Sequence, residues 1–362
     1  MKTMDYLKRR RLIFQPAVYL IVFSVLLLFF TGGCRKASTV EKITVNQNPD
    51  DWGLVTLYEV DSLWPQKPEN ITWGGIPGID IDIQGNLWLI NRALPLVQMY
   101  DADGKFIKAW GIKGVDIASV TDPQSDLTLS MSDPDIHQIK VDFEGNVWIA
   151  ARKLGVVYKC SSDGKVLMVL GKYNEVGNDE AHFNSPGDMA ITSTGDVFVT
   201  DDGNHRLVHF DRDGKFIKTW GKLGKGPGDF DTPHAIGIDS KGLIYVADRG
   251  NTRIQIFDQE GKFIDQWPNL IVPFDLWITG EDEVWVCGYG PLRSKTSANL
   301  PRTDDNIVMK FNSKGKVLLN WTFTHGEKPG QFGEIHGITL DTKGNVFLSD
   351  VQRLRIQKFA KL

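Results

Sequence analysis

Six stretches of this 362-residue chain repeat one pattern of short apolar segments and glycine turns, and that repeat limits the available folds more than any other feature. The first turns carry Gly85, Gly145, Gly195, Gly242, Gly280 and Gly344, and the second turns Gly104, Gly164, Gly214, Gly261 and Gly315. The third unit, GDMAITSTGDVFVTDDGNHRLVHFDRDGKFIKTWG, shows four strand-like segments and ends in tryptophan. Alternating β-branched and aromatic residues between such turns are hairpin signals. With no convincing amphipathic helix after residue 34, a repeat of this length means a solenoid, a propeller or an array.

Six first turns against five second turns leave the last unit without a fourth strand, while a spare strand-like segment, GLVTLYEVDSLW at 53–64, precedes the first. Pairing the two closes a ring and removes the sheet edges an open array would expose. The expectation is an all-β, six-bladed β-propeller over 51–362, closed by an N-terminal strand in the last blade.

The front of the chain is different. Lys2, Lys8, Arg9, Arg10 and Arg11 precede an apolar run, Leu12–Phe30, that ends in Thr31-Gly32-Gly33-Cys34. A charged region, an apolar region and small residues before a cysteine make a signal segment, and this one resembles a bacterial lipoprotein signal. The resemblance implies removal of 1–33, lipidation of Cys34, a linker over 34–50 and anchoring in the bacterial cell envelope. An uncleaved membrane anchor is the other reading, and it too exports the residues beyond 34, because the basic flank stays inside. Removing five basic and one acidic residue from 41 Lys+Arg and 45 Asp+Glu leaves 36 against 44, a balance of −8. An acidic exported protein is a poor nucleic-acid binder. Cys160 and Cys287 fall three blades apart, so a disulfide framework is not expected.

His137, His234 and His336 each stand eight residues before the glycine of a first turn, in IHQIKVDFEG, PHAIGIDSKG and IHGITLDTKG. The first strand of a propeller blade lines the central channel, so these positions in the second, fourth and sixth blades lie at one rim, about a third of a turn apart. The corresponding residues of the first, third and fifth blades read as Pro77, Gly187 and Val272. Three neutral imidazoles with an open fourth position suit zinc, and another divalent transition metal would also accept them. Calcium is doubtful, since it needs oxygen ligands at the axis.

The loops between second and third strands open on the same rim and carry Asn91-Arg92, Arg152, Asp201-Asp202, Arg249, Tyr289 with Arg293, and Arg353. Arginines around a metal suit a carboxylate. Arg92 is the strongest functional candidate, Arg152 and Arg249 are candidate substrate ligands, and Asp202 or Tyr289 is the candidate base. Arg206, Arg253 and Arg355 occupy the repeat's own arginine position and are read as loop holders. His182, His205, His209 and His325 are read as ordinary exposed or core histidines.

RGNTRIQIFDQEGKFIDQW and DGNHRLVHFDRDGKFIKTWG resemble NHL repeats over most of 75–359. More closely, TPHAIGIDSKGLIYVADRGNTRIQIF, EIHGITLDTKGNVFLSD and DIHQIKVDFEGNVWIAA resemble peptidyl-α-hydroxyglycine α-amidating lyase, a zinc propeller that releases glyoxylate from C-terminal hydroxyglycine. The resemblance implies that His137, His234 and His336 are metal ligands and that Arg92, in LINRALP, is the active-site arginine. Two positions depart from it. TDDGNHR stands where the family has a tyrosine-bearing loop, and Gly337 where it has an aspartate that helps bind calcium. The sequence therefore leaves two readings: a zinc-dependent carbon–nitrogen lyase acting on a small carboxylate or peptide, and a non-catalytic propeller binding a peptide, glycan or partner protein.

Overall fold

The computed structural model describes residues 58–110, 136–268, 270–290 and 306–362, with the backbone of a two-residue strand at Lys42–Ile43. The signal segment, Cys34, the 112–134 connection, Arg293 and most of the 288–305 loop lie outside the described residues.

Six antiparallel sheets form the expected six-bladed propeller. Their innermost strands are Gly78–Ile81, Ile136–Val141, Pro186–Ile191, Pro233–Ile238, Val272–Ile278 and Ile335–Leu340, and each lies beside the next around the ring, the last against the first. The sixth blade contributes three strands of its own, and Tyr58–Asp61 pairs with its last strand, Arg355–Lys361, in the register Tyr58↔Lys361 to Asp61↔Lys358. Ring closure therefore falls to the segment the sequence left spare. Lys42–Ile43, inside the stretch read as linker, pairs onto Tyr58–Asp61 as a fifth strand. Among the described residues there is no α-helix, only two short 3-10 turns, Asp202–Asn204 and Arg249–Asn251.

The core lies between blades. Trp88 and Ile90 of the first blade pack with Ile139, Val147 and Ile149 of the second, and the other clusters repeat this arrangement. Strands buried on both faces need apolar residues at successive positions, as in Leu87–Ile90, where all four are buried. The recurrent tryptophans are explained by the second turns. Gly261, at φ +77°, has no Cβ to strike Trp220, whose Cδ2 lies 2.8 Å from where one would sit, and Gly315 stands likewise over Trp267. Gly164 closes on Trp110 in the same way, so these three turns pack on the tryptophan that ends the preceding blade, while Gly214 packs on Met168 and Leu170; each requires glycine both for the left-handed backbone and for the close approach.

The repeat's arginines hold loops, as expected. Arg253 pairs with buried Asp248 at 2.7 Å and donates to the carbonyls of Lys225, Gly226 and Asp229. Arg206 does the same with Asp201 at 2.8 Å.

Candidate metal centre

His137, His234 and His336 converge. Their ligand atoms lie within 4.8 Å of one another, their ring centroids are 4.6, 5.1 and 5.2 Å apart, and all three are buried. The backbone shows how. The ladder between the first two strands shifts register between Ile136 and Gln138, between Pro233 and Ala235, and between Ile335 and Gly337, so each histidine is the extra residue of a β-bulge. A bulge re-aims one side chain without disturbing the strand's apolar alternation, and bulges gather at functional sites for that reason.

The same pattern corrects one sequence assignment. In the fifth blade the register shifts between Pro273 and Asp275, so the residue at the histidine position is Phe274, not Val272. The cause is the turn: Asp282, at φ +60°, takes the left-handed conformation that glycine takes elsewhere, while Gly280 has no such φ. Counting eight back from Asp282 gives Phe274.

Nor do the odd-numbered blades stand aside. His137 Nδ1 bonds the Gly187 carbonyl at 2.8 Å, His234 Nδ1 the Phe274 carbonyl at 2.6 Å, and His336 Nδ1 the Pro77 carbonyl at 2.7 Å. A carbonyl only accepts, so every Nδ1 must carry the proton, and every Nε2 presents a lone pair. Burial holds all three rings neutral: it pushes His137 and His234 well below the ordinary histidine pKa and His336 to about 3. Neutral imidazoles oriented by hydrogen-bonded carbonyls are the donor set that binds zinc or a similar divalent ion. Reaching the ~2.0–2.1 Å of a zinc–imidazole bond needs each ring to close inward by at most about an ångström.

Above the imidazoles lie the expected arginines. Arg92 reaches the Ile136 carbonyl, next to His137, and its charge, with those of Arg152 and Arg249, lowers the pKa of His336. The Arg249 guanidinium sits 4.4 Å over the Phe274 ring, and Phe274 in turn stacks on His336 with centroids 5.1 Å apart. Tyr289 meets the edge of the same Phe274 ring at 5.0 Å. Phe274 is therefore a platform for the arginine and a support for two histidines, His336 through its ring and His234 through its carbonyl.

Asp202 is buried beneath Arg152, with Oδ2 3.1 Å from Nη2. Burial raises its pKa to about 7, against the opposing charge of Arg152. Gly187 makes its space: a Cβ there would fall 2.4 Å from Asp202 Oδ1. The carboxyl thus adjoins the residue whose carbonyl orients His137. Other rim residues have structural roles. Asn91 accepts from Gly74 N–H and donates to the carbonyls of Thr72 and Pro95, and Arg353 faces Glu327 at 3.9 Å. His205 caps a 3-10 turn in the left-handed conformation.

The channel is not lined by histidine alone, contrary to the sequence reading that weighed against axial oxygen ligands. Asp80, Asp188 and Asp275 from the first, third and fifth blades are buried in it, and each accepts a backbone N–H of the next blade, from Val141, Ile236 and Ile338. Lys140 lies among them, 3.8 Å from Asp188 Oδ2.

The molecule is a six-bladed β-propeller of NHL-like repeats with a three-histidine centre capable of holding a metal on its axis. Comparison with known proteins agrees. A family model described as a 6-bladed beta-propeller matches residues 176–311. The chain is 33% identical over 160 residues to the peptidylglycine alpha-amidating monooxygenase of Rattus norvegicus, covering 41% of this chain and 16% of that protein. It is 32% identical over 83 residues to a probable peptidyl-alpha-hydroxyglycine alpha-amidating lyase of Caenorhabditis elegans, covering 22% and 24%. The chain thus spans less than a quarter of the length of either relative. A gluconolactonase structure from Xanthomonas campestris superposes with a TM-score of 0.56 at 14% identity, over 85% of this chain and 90% of that one, a likeness of fold alone.

Proposed function

We propose that the protein is an exported, lipid-anchored, metal-dependent lyase of the amidating-lyase type, acting on a peptide or small molecule that ends in an α-hydroxyglycine-like group. The observation that carries this reading is the set of three buried imidazoles, each with Nδ1 bound to a backbone carbonyl, under a crown of three arginines. His137, His234 and His336 would hold a divalent transition metal, zinc by the chemistry of the donor set. Such an ion, when bound, supplies Lewis acidity toward a substrate oxygen.

The chain's own groups account for the rest. Arg92, with Arg152 and Arg249, holds the substrate carboxylate. Asp202, with a pKa of about 7, takes the hydroxyl proton at neutral pH. As the O–H electrons form the new C=O bond, the C–N bond breaks, and the proton returns to the amide nitrogen, leaving an amide and glyoxylate. Tyr289 lies against Phe274 and bounds the site on the fifth-blade side. The basic and apolar segment before Cys34 supports a location at the bacterial cell envelope.

Elemental mass spectrometry tests this, together with glyoxylate release from a hydroxyglycine-extended peptide. Wild type should hold about one metal ion per chain and turn the peptide over, and a His137→Ala/His234→Ala/His336→Ala variant should do neither. A folded, metal-supplied wild type that retains no metal would sink the enzyme reading. The tyrosine-free loop TDDGNHR favours a second reading, a non-catalytic rim that binds a peptide, glycan or partner protein. Retained metal without turnover would support it.

A further inference from the structure

At the mouth opposite the histidines, the first turns of the blades surround a cavity of about 940 Å³. Ile191, Ile238, Trp277 and Leu340 contribute to its walls, and Ile83 and Phe143, 70% and 63% exposed, stand at its lip. Asp80 and Lys140 form part of its floor.

The charges of this funnel do not balance. Seven carboxylates line it against four lysines; Lys310 and Glu283 pair off at 2.7 Å and Asp142 is met by Lys159 at 3.6 Å, which leaves five carboxylates to three lysines. Lys140 has to serve Asp80, Asp188 and Asp275 together. Asp80 is 3% exposed; its Oδ2 accepts the Val141 N–H at 2.6 Å, but its Oδ1 has no hydrogen-bond partner. A buried carboxylate oxygen left without a donor is costly, and native structures retain one where something else supplies the donor.

We infer that this funnel binds a small organic cation, a primary ammonium carried on an apolar or aromatic body, with Asp80 as its counter-ion and Ile83, Phe143 and Trp277 as its apolar wall. The ammonium brings the missing donors and positive charge together. An alcohol of the same shape brings the donor without the charge, and a carboxylate meets the excess of like charge. A charge-assisted bond to an otherwise unsatisfied carboxylate should favour the ammonium over the alcohol by roughly ten- to a hundredfold. The site faces away from the histidines and does not depend on the proposed lyase activity.

Isothermal titration of the full chain at about pH 8, where Asp80 is ionised and the amine still protonated, in a neutral detergent and treated with a chelator, tests this with benzylammonium, benzyl alcohol and benzoate as probes. Wild type should bind benzylammonium at least about tenfold more tightly than benzyl alcohol and bind benzoate least. Asp80→Asn should reduce benzylammonium to the level of the alcohol. Phe143→Ser alters an exposed residue that folding does not need, and should weaken the amine and the alcohol alike by a few-fold. His336→Ala should bind the amine as wild type does, which separates this funnel from the histidine centre. No binding by folded wild type, equal binding of amine and alcohol, unchanged binding in Asp80→Asn and Phe143→Ser, or loss in His336→Ala would each overturn the inference.

Discussion

The buried carboxyl of Asp202 gives the sharpest test of the site's electrostatics. Its pKa stands at about 7, against an ordinary 3.8, and burial is the leading cause. A raised acid pKa means that the folded protein keeps a proton which the unfolded chain has already released. The resulting contribution to stability is greatest below the unfolded pKa, falls as pH rises through the window from about 4 to about 7, and is flat above it. Between pH 5 and pH 8 the folded protein crosses about two pH units of that window at ~1.4 kcal/mol each, so Asp202 should cost the fold roughly 2.7 kcal/mol. Asparagine has nearly the same shape and cannot titrate. Whatever Asp202→Asn does to absolute stability, the gap between variant and wild type should shift toward the variant by that amount from pH 5 to pH 8.

Urea unfolding of both proteins, metal-stripped, at the two pH values measures the shift. Asp80 and Asp188 also titrate at about 7, but they are present in both proteins and cancel. A gap that stays constant within about 0.5 kcal/mol would refute the claim that burial holds this carboxyl neutral. That constant gap is what an Asp202 fixed as an anion by Arg152 would give, because a lowered pKa alters stability only below about pH 4, and such a carboxylate would be a much weaker base than one of pKa about 7.

Arg253→Ala strips buried Asp248 of its partner and should destabilise the protein by about 3–5 kcal/mol in urea unfolding without changing metal content. Gly261→Ala forces a side chain into a left-handed turn and against Trp220, so its melting temperature should fall, with a loss above about 1 kcal/mol. Phe274→Ala keeps the carbonyl that orients His234 but removes the ring between Arg249 and His336. It should retain its metal by mass spectrometry while turnover of the hydroxyglycine peptide falls at least about tenfold.

The sequence made the propeller and the histidine centre legible for the same reason. Left-handed turns demand glycine almost everywhere, so the turns mark the blades, and a bulge one fixed count before each turn keeps the histidines in phase with them. Where another residue took the turn, at Asp282, the count failed by two and Phe274 went unseen. The acidic channel residues were hidden differently. Asp80 lies three positions beyond Pro77, whereas Asp188 and Asp275 stand directly after Gly187 and Phe274, so no single offset unites them. Asp202 was visible as a candidate, but its burial depends on Gly187, a contact between the innermost strand and a loop of one blade that no spacing reveals.

The centre divides its work between alternate blades. Even blades place a side chain at the bulge and odd blades place a carbonyl at the equivalent position: His137 against Gly187, His234 against Phe274, His336 against Pro77. A carbonyl survives any substitution of the residue that bears it, so the odd positions can vary in side chain while the histidines keep their tautomer. The three odd positions carry three different side chains. Gly187 leaves room for a buried carboxyl, and Phe274 supplies a ring on which an arginine rests. The geometry of the candidate metal centre is thus carried largely by backbone and three imidazoles, and its surroundings by side chains that can change without dismantling it.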